Sequence, residues 1–201
     1  MKHASQGFSL IELMIAVVIM GILLALGLPQ FTNYIRDARL RAVAETFLSG
    51  VQLARTEAVR RNTLVEFLLT TSDPTEANLA TATASATGAN WMVRTADLAI
   101  FLEGKVAVDG GGSGGAVIKI NDTTASATDP DTPPASPASS ITFNGLGRTN
   151  LATDVFFKFT NPQGKCATDG GPVRCLRVVV SVFGQARLCD PKVGAGDTRS
   201  C

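Results

Sequence analysis

The sequence predicts an α+β fold, in which one long N-terminal helix packs against a head of antiparallel β-sheets. Two observations lead to this fold: a long apolar run that continues as an amphipathic stripe, and a following series of short segments rich in β-forming residues. The chain has 201 residues, which is enough for one anchor helix and one head with a hydrophobic core. A helix laid over sheets buries the apolar face of each element.

The first element is an apolar run from Phe8 to Leu28, in which Glu12 is the only charge. A helix of this length spans roughly 30 Å, the thickness of a bilayer core. The preceding residues 1–7 are too short, and the run too long, for a cleaved secretory signal. We therefore predict a transmembrane helix segment over residues 8–28. A carboxylate inside it costs roughly 2.5–3.5 kcal/mol on insertion scales, so Glu12 is expected to have a partner.

The second element is an amphipathic half of the same helix, predicted over residues 29–62. Apolar residues recur at helical spacing at Leu40, Val43, Phe47, Val51, Ala54 and Ala58. Charged residues fill other positions and are expected to form a solvated face: Arg36, Arg39, Arg41, Glu45, Arg55, Glu57, Arg60 and Arg61. Because the apolar stripe has to be buried, this half is expected to pack on the head.

The remaining residues, 63–201, are predicted to form the β-rich globular head. Short segments rich in Val, Ile, Phe and Leu are separated mostly by turn residues, at Thr63–Thr70, Trp91–Arg94, Leu98–Val108, Ala116–Asn121, Ile141–Asn144, Val155–Thr160, Cys175–Val182 and Ala186–Cys189. Two low-complexity stretches, Ser72–Asn90 and Asp122–Ser140, are expected to be surface loops that bury little. The glycine run Gly110–Gly115 is predicted to be a hairpin loop, because no phosphate-loop lysine follows it.

All four cysteines lie near the C-terminus, at Cys166, Cys175, Cys189 and Cys201. No Cys-x-x-Cys pair occurs, which disfavours a zinc site, and an even count indicates two disulfides in a domain outside the cytoplasm. Three pairings remain open. We favour Cys166–Cys175 with Cys189–Cys201, because each closes a short glycine-containing loop next to a strand.

Charge and histidine content exclude several function classes. The net charge is +1, so no global electrostatic argument for nucleic acid applies. The only histidine, His3, lies in the first seven residues, which leaves the rest without a Ser-His-Asp or Cys-His site and without histidine metal ligands. We expect no enzyme activity, no cofactor and no metal site.

The N-terminal junction Gly7-Phe8-Ser9-Leu10-Ile11-Glu12 resembles the leader junction of type IV pilins and type II secretion pseudopilins. The resemblance implies that residues 1–7 are a prepilin leader peptide, that prepilin peptidase cleaves between Gly7 and Phe8, and that Phe8 is then N-methylated. It also implies a single-pass protein of the bacterial inner membrane with its head in the periplasm, stored before assembly into a filament. In a bundle of such helices, Glu12 can neutralise the α-amine of Phe8 on a neighbouring subunit and so favour the correct axial register.

Beyond the leader, the body resembles the GspH/FimT family of minor pilins and pseudopilins. The residues that carry this resemblance are Ala54–Asn62, Ile141–Arg148, Arg174–Ser181 and Gly184–Pro191. The resemblance implies a pilin-like fold, with one long helix and a head of two antiparallel sheets. Subunits of this family are scarce and often stand at the filament tip.

Three functions are compatible with this resemblance. The favoured one is a minor pilin of a type IV pilus, which joins other major and minor pilins and supports assembly, adhesion or twitching. The alternative is an H-type pseudopilin of a type II secretion system. The second alternative is a DNA-binding minor pilin for natural transformation.

The DNA hypothesis depends on a Gly-Arg-x-Arg motif that some family members carry. The matching residues are Gly184-Gln185-Ala186-Arg187, in which glutamine replaces the first arginine. Because a phosphate contact needs a cation, we expect at most weak DNA contact through Arg187 and Lys192. The sequence leaves open whether a type IV pilus or a type II secretion system uses the chain. It also does not identify the filament position, the neighbouring subunits or any surface ligand.

Overall fold

The computed structural model describes residues 9–106, 117–122, 139–161, 164–194 and 196–201. It forms two compact units, Met1–Arg36 and Asp37–Cys201. The described part of the first unit belongs to helix α1 (Leu10–Arg61), whose apolar side chains are exposed there. Among the described residues, α1 is the one helix that is long and apolar enough to cross a membrane, judged by length and composition.

In the second unit, α1 buries the apolar stripe that its sequence predicts. Leu40, Phe47 and Val51 are at most 1% exposed. Small residues at Ala44, Ala54 and Ala58 are fully buried and let the sheets approach the helix closely. Asn62 follows the helix with a left-handed φ of 49°, a conformation that asparagine tolerates better than most residues and that ends helices.

The head contains two four-stranded antiparallel sheets. Their strands are β1 (Val65–Thr70), β2 (Asn90–Thr95), β3 (Phe101–Lys105), β4 (Val117–Asp122), β5 (Ser140–Phe143), β6 (Val155–Thr160), β7 (Leu176–Val180) and β8 (Ala186–Cys189). The first sheet has the order β3-β2-β1-β5 and the second β4-β6-β7-β8. The predicted fold class is confirmed, and each predicted β segment overlaps one of these strands.

Both sheets turn an apolar face toward α1, and Phe47 lies where these faces meet. Its ring centroid is 4.8 Å from that of Phe67 on β1 and 4.7 Å and 5.3 Å from those of Phe157 and Phe159 on β6. Such edge-to-face and tilted contacts are favourable arrangements for aromatic rings. No strand of one sheet pairs with a strand of the other in the described residues. Packing of both sheets on the helix therefore contributes much of the contact that holds them together.

The segment Ser72–Asn90 lies at the surface, as predicted, and few of its residues are buried. It also covers the outer face of the first sheet, where Ala82 is 3% exposed and packs with Leu68 and Met92. The Arg94 guanidinium holds it by donating hydrogen bonds to the carbonyls of Leu79 (2.6 Å) and Ala82 (3.0 Å). Backbone carbonyls and the small side chain of Ala82 hold the loop on the sheet, so the composition of the loop did not reveal this contact.

Arg94 also forms an ion pair with Glu66 on the neighbouring strand, at 2.9 Å. The two residues face each other across the β1–β2 ladder, so the pair ties the sheet to the loop above it. Most of the second low-complexity stretch, together with Gly110–Gly115, lies outside the described residues.

Candidate functional site

The predicted cleavage and methylation residues, Gly7 and Phe8, lie outside the described residues, and the predicted assembly residue, Glu12, lies in the first turn of α1. The backbone N–H of Glu12 donates to Ser9 Oγ at 3.3 Å. Ser9 and Glu12 have the spacing of a capping box, in which a serine and an acid satisfy free N–H groups at a helix start. The sequence reasoning missed this cap by Ser9, although the Ser-x-x-Glu pattern signals it. A carboxylate in the first turn also complements the helix dipole.

The cysteines form two disulfides, Cys166–Cys175 and Cys189–Cys201, which is the favoured pairing. Their Cα atoms are 5.3 Å and 5.1 Å apart, within the usual range. Each closes a short loop, and a loop of this size adds roughly 2.5–3 kcal/mol to stability on the chain-entropy model. The second disulfide ties the C-terminal residues to the end of β8.

Most arginine side chains of the C-terminal region form ion pairs or hydrogen bonds within the head. Arg174 pairs with the buried carboxylate of Asp190, and Arg199 pairs with Asp197 at 2.8 Å. Hydrogen bonds from Arg199 lower the pKa of Asp197 to about 2. These pairs leave less positive charge for an outside partner than the residue count indicates.

The two residues predicted to contact DNA differ in their surroundings. Arg187 Nη1 donates to the carbonyl of Ser200 at 2.9 Å, and the Arg187 side chain remains exposed. Lys192 is exposed, and its backbone N–H donates to Asp190 Oδ1 at 2.9 Å. The described side chains of Arg187 and Lys192 do not contact each other, and neither lines the groove described below.

Three of the four segments that carry the GspH/FimT resemblance meet at one place. We call this place the glycine junction and define it by Gly147, Gly184 and Arg55. Gly147 and Gly184 have φ values of +73° and +80°, a region that glycine adopts without strain. A Cβ atom on Gly184 would lie 1.9 Å from the carbonyl oxygen of Gly147. Arg55 Nε donates to that same oxygen at 3.3 Å. The backbone contact therefore requires glycine at Gly184.

The turn that carries Gly147 is built around Asn144. Its Oδ1 accepts hydrogen bonds from the backbone N–H groups of Leu146 (3.0 Å) and Arg148 (3.1 Å). This use of an asparagine side chain in place of backbone is typical of tight turns. Gly145 in the same turn contacts Asn62, because a Cβ there would lie 2.2 Å from Asn62 Oδ1. The turn is thus fitted against the end of α1.

A groove of about 460 Å³ opens beside the glycine junction. It runs between α1 and the β7–β8 turn and is lined by Gln52, Arg55, Thr56, Gly184, Gln185 and Ala186. Three apolar side chains near the junction are exposed: Leu146 by 82%, Phe183 by 63% and Val59 by 50%. The Arg148 guanidinium lies 5.5 Å from the centre of the Phe183 ring. Sequence reasoning missed this surface, since three distant segments build it.

Glu57 gives the end of α1 an acid-sensitive contact. Its carboxylate accepts hydrogen bonds from Arg60 (2.6 Å) and Arg61 (2.7 Å), which lower its pKa from 4.5 to about 2. A carboxyl whose pKa is lowered on folding adds stability above its unfolded pKa, and this stability is lost as the pH falls through the folded value.

We therefore expect part of the stability to disappear between about pH 4.5 and pH 2, and Glu57→Gln to remove that part. Denaturant unfolding at a series of pH values checks this. Asp197→Asn serves as the comparison, because it removes a different carboxyl, in the C-terminal loop, whose pKa is also about 2. An unchanged pH profile in Glu57→Gln would contradict the prediction.

The described residues contain no group of three or more His, Cys, Asp or Glu side chains arranged to hold a metal ion.

Two family models match the chain. The model described as Type II transport protein GspH matches residues 43–184. The prokaryotic N-terminal methylation motif matches residues 2–28.

Similarity to curated proteins is confined to a short segment. The type IV major fimbrial protein FimA of Dichelobacter nodosus is 51% identical over 47 residues, which is 23% of this chain and 30% of that protein. The prepilin peptidase-dependent protein D of Escherichia coli K12 is 46% identical over 43 residues, or 21% of this chain and 30% of that protein. The chain therefore spans less than a third of the length of these relatives.

Two solved structures are similar in fold. The type IV minor pilin FimU of Pseudomonas aeruginosa aligns with a TM-score of 0.48 and 18% identity, covering 79% of this chain and 93% of FimU. The minor pseudopilin EpsH of Vibrio cholerae aligns with a TM-score of 0.44 and 11% identity, covering 78% of this chain and 99% of EpsH.

Proposed function

Because this chain belongs to the GspH family and carries the N-terminal methylation motif of pilins and pseudopilins, we propose that it is a minor pilin of a type IV pilus. In this role it joins the filament, near the tip, and supports assembly, adhesion or twitching. The observation that carries the proposal is the order of the parts: a methylation motif, then the helix suited to a membrane, then the disulfide-stapled head. It is a structural subunit, and no enzyme activity is proposed.

The proposal divides the chain into four parts. Residues 1–7 are the leader that prepilin peptidase removes, and residues 8–28 hold the subunit in the inner membrane. Residues 29–62 form the helix half that enters the core of the head, and residues 63–201 form the rest of the head. After cleavage, Phe8 carries the new, N-methylated amine, and Glu12 of a neighbouring subunit lies against it.

The head stands in the periplasm before assembly and on the pilus afterwards. Two disulfides support this placement, because disulfides persist in oxidising compartments and are rare in the cytosol. Its partners are the other major and minor pilins.

A second candidate is an H-type pseudopilin of a type II secretion system. The match to the model described as Type II transport protein GspH favours it, since this match covers most of the head. Both candidates share the leader, the anchor and the filament, so only the cellular machine distinguishes them.

The test follows the full chain in its own host. Mass spectrometry of the membrane-extracted protein should find an N-terminus at methylated Phe8, and immunoblots should find the protein in sheared pili. Deletion of its gene should reduce piliation and leave protein secretion unchanged. Loss of secretion with normal pili would move the assignment to the pseudopilin, and a protein that keeps Met1 would contradict both.

DNA binding is expected to be weak and sensitive to salt. With two phosphate contacts, from Arg187 and Lys192, the affinity should fall about tenfold between 50 and 200 mM salt. Gel shifts with the detergent-solubilised full chain measure this fall. Gln185→Arg should strengthen binding, and Arg187→Gln should weaken it. Tight binding of the unmodified chain at physiological salt, abolished by Arg187→Gln, would make DNA uptake the leading function.

A further inference from the structure

Two arginines beside the glycine junction differ from most others in the described head. Six arginines of the second unit form ion pairs with an acid: Arg41, Arg60, Arg61, Arg94, Arg174 and Arg199. Arg55, Arg148 and Arg187 form none with any residue that the structure describes. Of these, two lie at the junction: Arg55 bonds to the carbonyl of Gly147, and Arg148 lies over the ring of Phe183. Both are exposed, so their charge is available to a partner.

The position of Arg55 is set by the fold. Its Nε is engaged by the carbonyl of Gly147 at 3.3 Å, and the side chain lines the 460 Å³ groove. The other guanidinium nitrogens of Arg55 carry no hydrogen bond to a described residue. A guanidinium oriented in this way can bind a carboxylate with its remaining donors.

Exposed apolar side chains lie near the two arginines, next to the groove that Gln52, Thr56 and Gln185 line. Leu146 and Phe183 are the direct chain neighbours of the two touching glycines, and Val59 on α1 lies beside Gly147, since a Cβ on this glycine would be 3.2 Å from Val59 Cγ2. All three are at least half exposed. Exposed apolar side chains grouped with arginine are typical of protein interfaces, where aromatic residues and arginine are enriched.

We propose that these residues form a docking surface for an acidic segment, flanked by apolar side chains, on a neighbouring subunit of the filament. We call it the junction surface: the glycine junction together with Val59, Leu146, Arg148 and Phe183. The partner's carboxylate binds Arg55 and Arg148, and its apolar side chains cover Leu146 and Phe183. This inference rests on the proposed function, because it takes its partner from the filament.

A protein segment fits this surface better than a nucleic acid does. A strand of DNA needs a series of cations along its phosphates, whereas this surface has two arginines, with exposed Val59, Leu146 and Phe183 nearby.

The first experiment tests contact directly. Arg55→Lys keeps the positive charge and supplies a primary amine. A carbodiimide joins this amine to a touching carboxylate as an amide, while the carboxylate oxygen leaves with the reagent as a urea. In intact filaments we expect a cross-link from position 55 to an acid on another subunit, found by mass spectrometry. Two controls should give no such cross-link: the unmodified chain at position 55, and Arg187→Lys at position 187. Arg187→Lys makes the same change outside the junction surface.

The second experiment tests whether the contact matters. Arg148→Glu should reduce the amount of subunit in sheared filaments about tenfold relative to the membrane pool. Lys192→Glu makes the same charge change elsewhere and should leave that amount unchanged. Intact disulfides on a non-reducing gel show that each variant has folded. Reversing the charge of the cross-linked acid should restore incorporation of Arg148→Glu.

The outcomes separate this inference from the proposed function. If Arg55→Lys is present in filaments but gives the same products as the unmodified chain, the docking surface is overturned and the filament role stands. If the unmodified chain is absent from filaments, the proposed function fails. If Arg148→Glu loses DNA retention with normal incorporation, the surface belongs to DNA and the proposal is overturned.

Discussion

Replacing Phe47 with alanine is expected to lower the free energy of unfolding by about 3–5 kcal/mol, the usual cost of truncating a buried aromatic residue. Phe47 is fully buried, and its ring contacts Phe67 in one sheet and Phe157 and Phe159 in the other. The cavity therefore opens between both sheets and the helix. Neither sheet can fill it alone, because each is held by its own strand pairings.

The chain contains one tryptophan, which reports this change directly. Trp91 is 3% exposed, and its ring is stacked on Phe67 with centroids 5.5 Å apart. Denaturant unfolding of the detergent-solubilised chain, followed by tryptophan fluorescence, gives the free energy. Leu146→Ala, at a side chain 82% exposed, is the control and should change stability by less than about 0.5 kcal/mol. A loss below about 1 kcal/mol in Phe47→Ala would contradict the assigned core.

Glu12→Ala is expected to leave membrane insertion and leader cleavage intact and to abolish incorporation into the filament. The reason is the cost of an unpaired charge in an apolar bundle: without Glu12, the α-amine of Phe8 on the next subunit has no counter-ion there. Immunoblots of sheared filaments measure incorporation, and mass spectrometry of the membrane pool measures cleavage.

Glu12→Gln separates the charge of this residue from the helix start. The backbone N–H at position 12 can still donate to Ser9 Oγ, and glutamine is accepted at this position of a capping box, but glutamine carries no charge. If the charge sets the register, Glu12→Gln and Glu12→Ala should both be absent from filaments. Normal incorporation of Glu12→Gln would show that the helix start, and not the charge, is what assembly needs.

The sequence predicts the elements of this fold well because each has a local signature. Apolar residues at helical spacing mark the buried face of α1, and runs of β-branched and aromatic residues mark the strands. The cysteine pairing follows for a similar reason, since each disulfide joins residues only 9 or 12 positions apart. Short loops of this kind are the easiest to foresee.

What the sequence does not reveal is the set of contacts between distant segments. β5 pairs with β1 although about 70 residues separate them, and no local pattern encodes that order. The glycine junction joins Arg55 to Gly147, which is 92 positions away. The loop over the first sheet was missed because Arg94, on a strand, supplies the donors that hold it.

The place of Phe47 in the core has a consequence for how the protein is made. Phe47 leaves the ribosome about 110 residues before Phe157 and Phe159, which complete its packing. At roughly 5–20 residues per second, this interval lasts on the order of 5–20 s. During it, the strands of the first sheet, β1, β2, β3 and β5, are synthesised, whereas β6 is still to come. The side of Phe47 that Phe157 and Phe159 cover therefore stays open until β6 is made, and a chain stopped before β6 presents that side to chaperones and proteases.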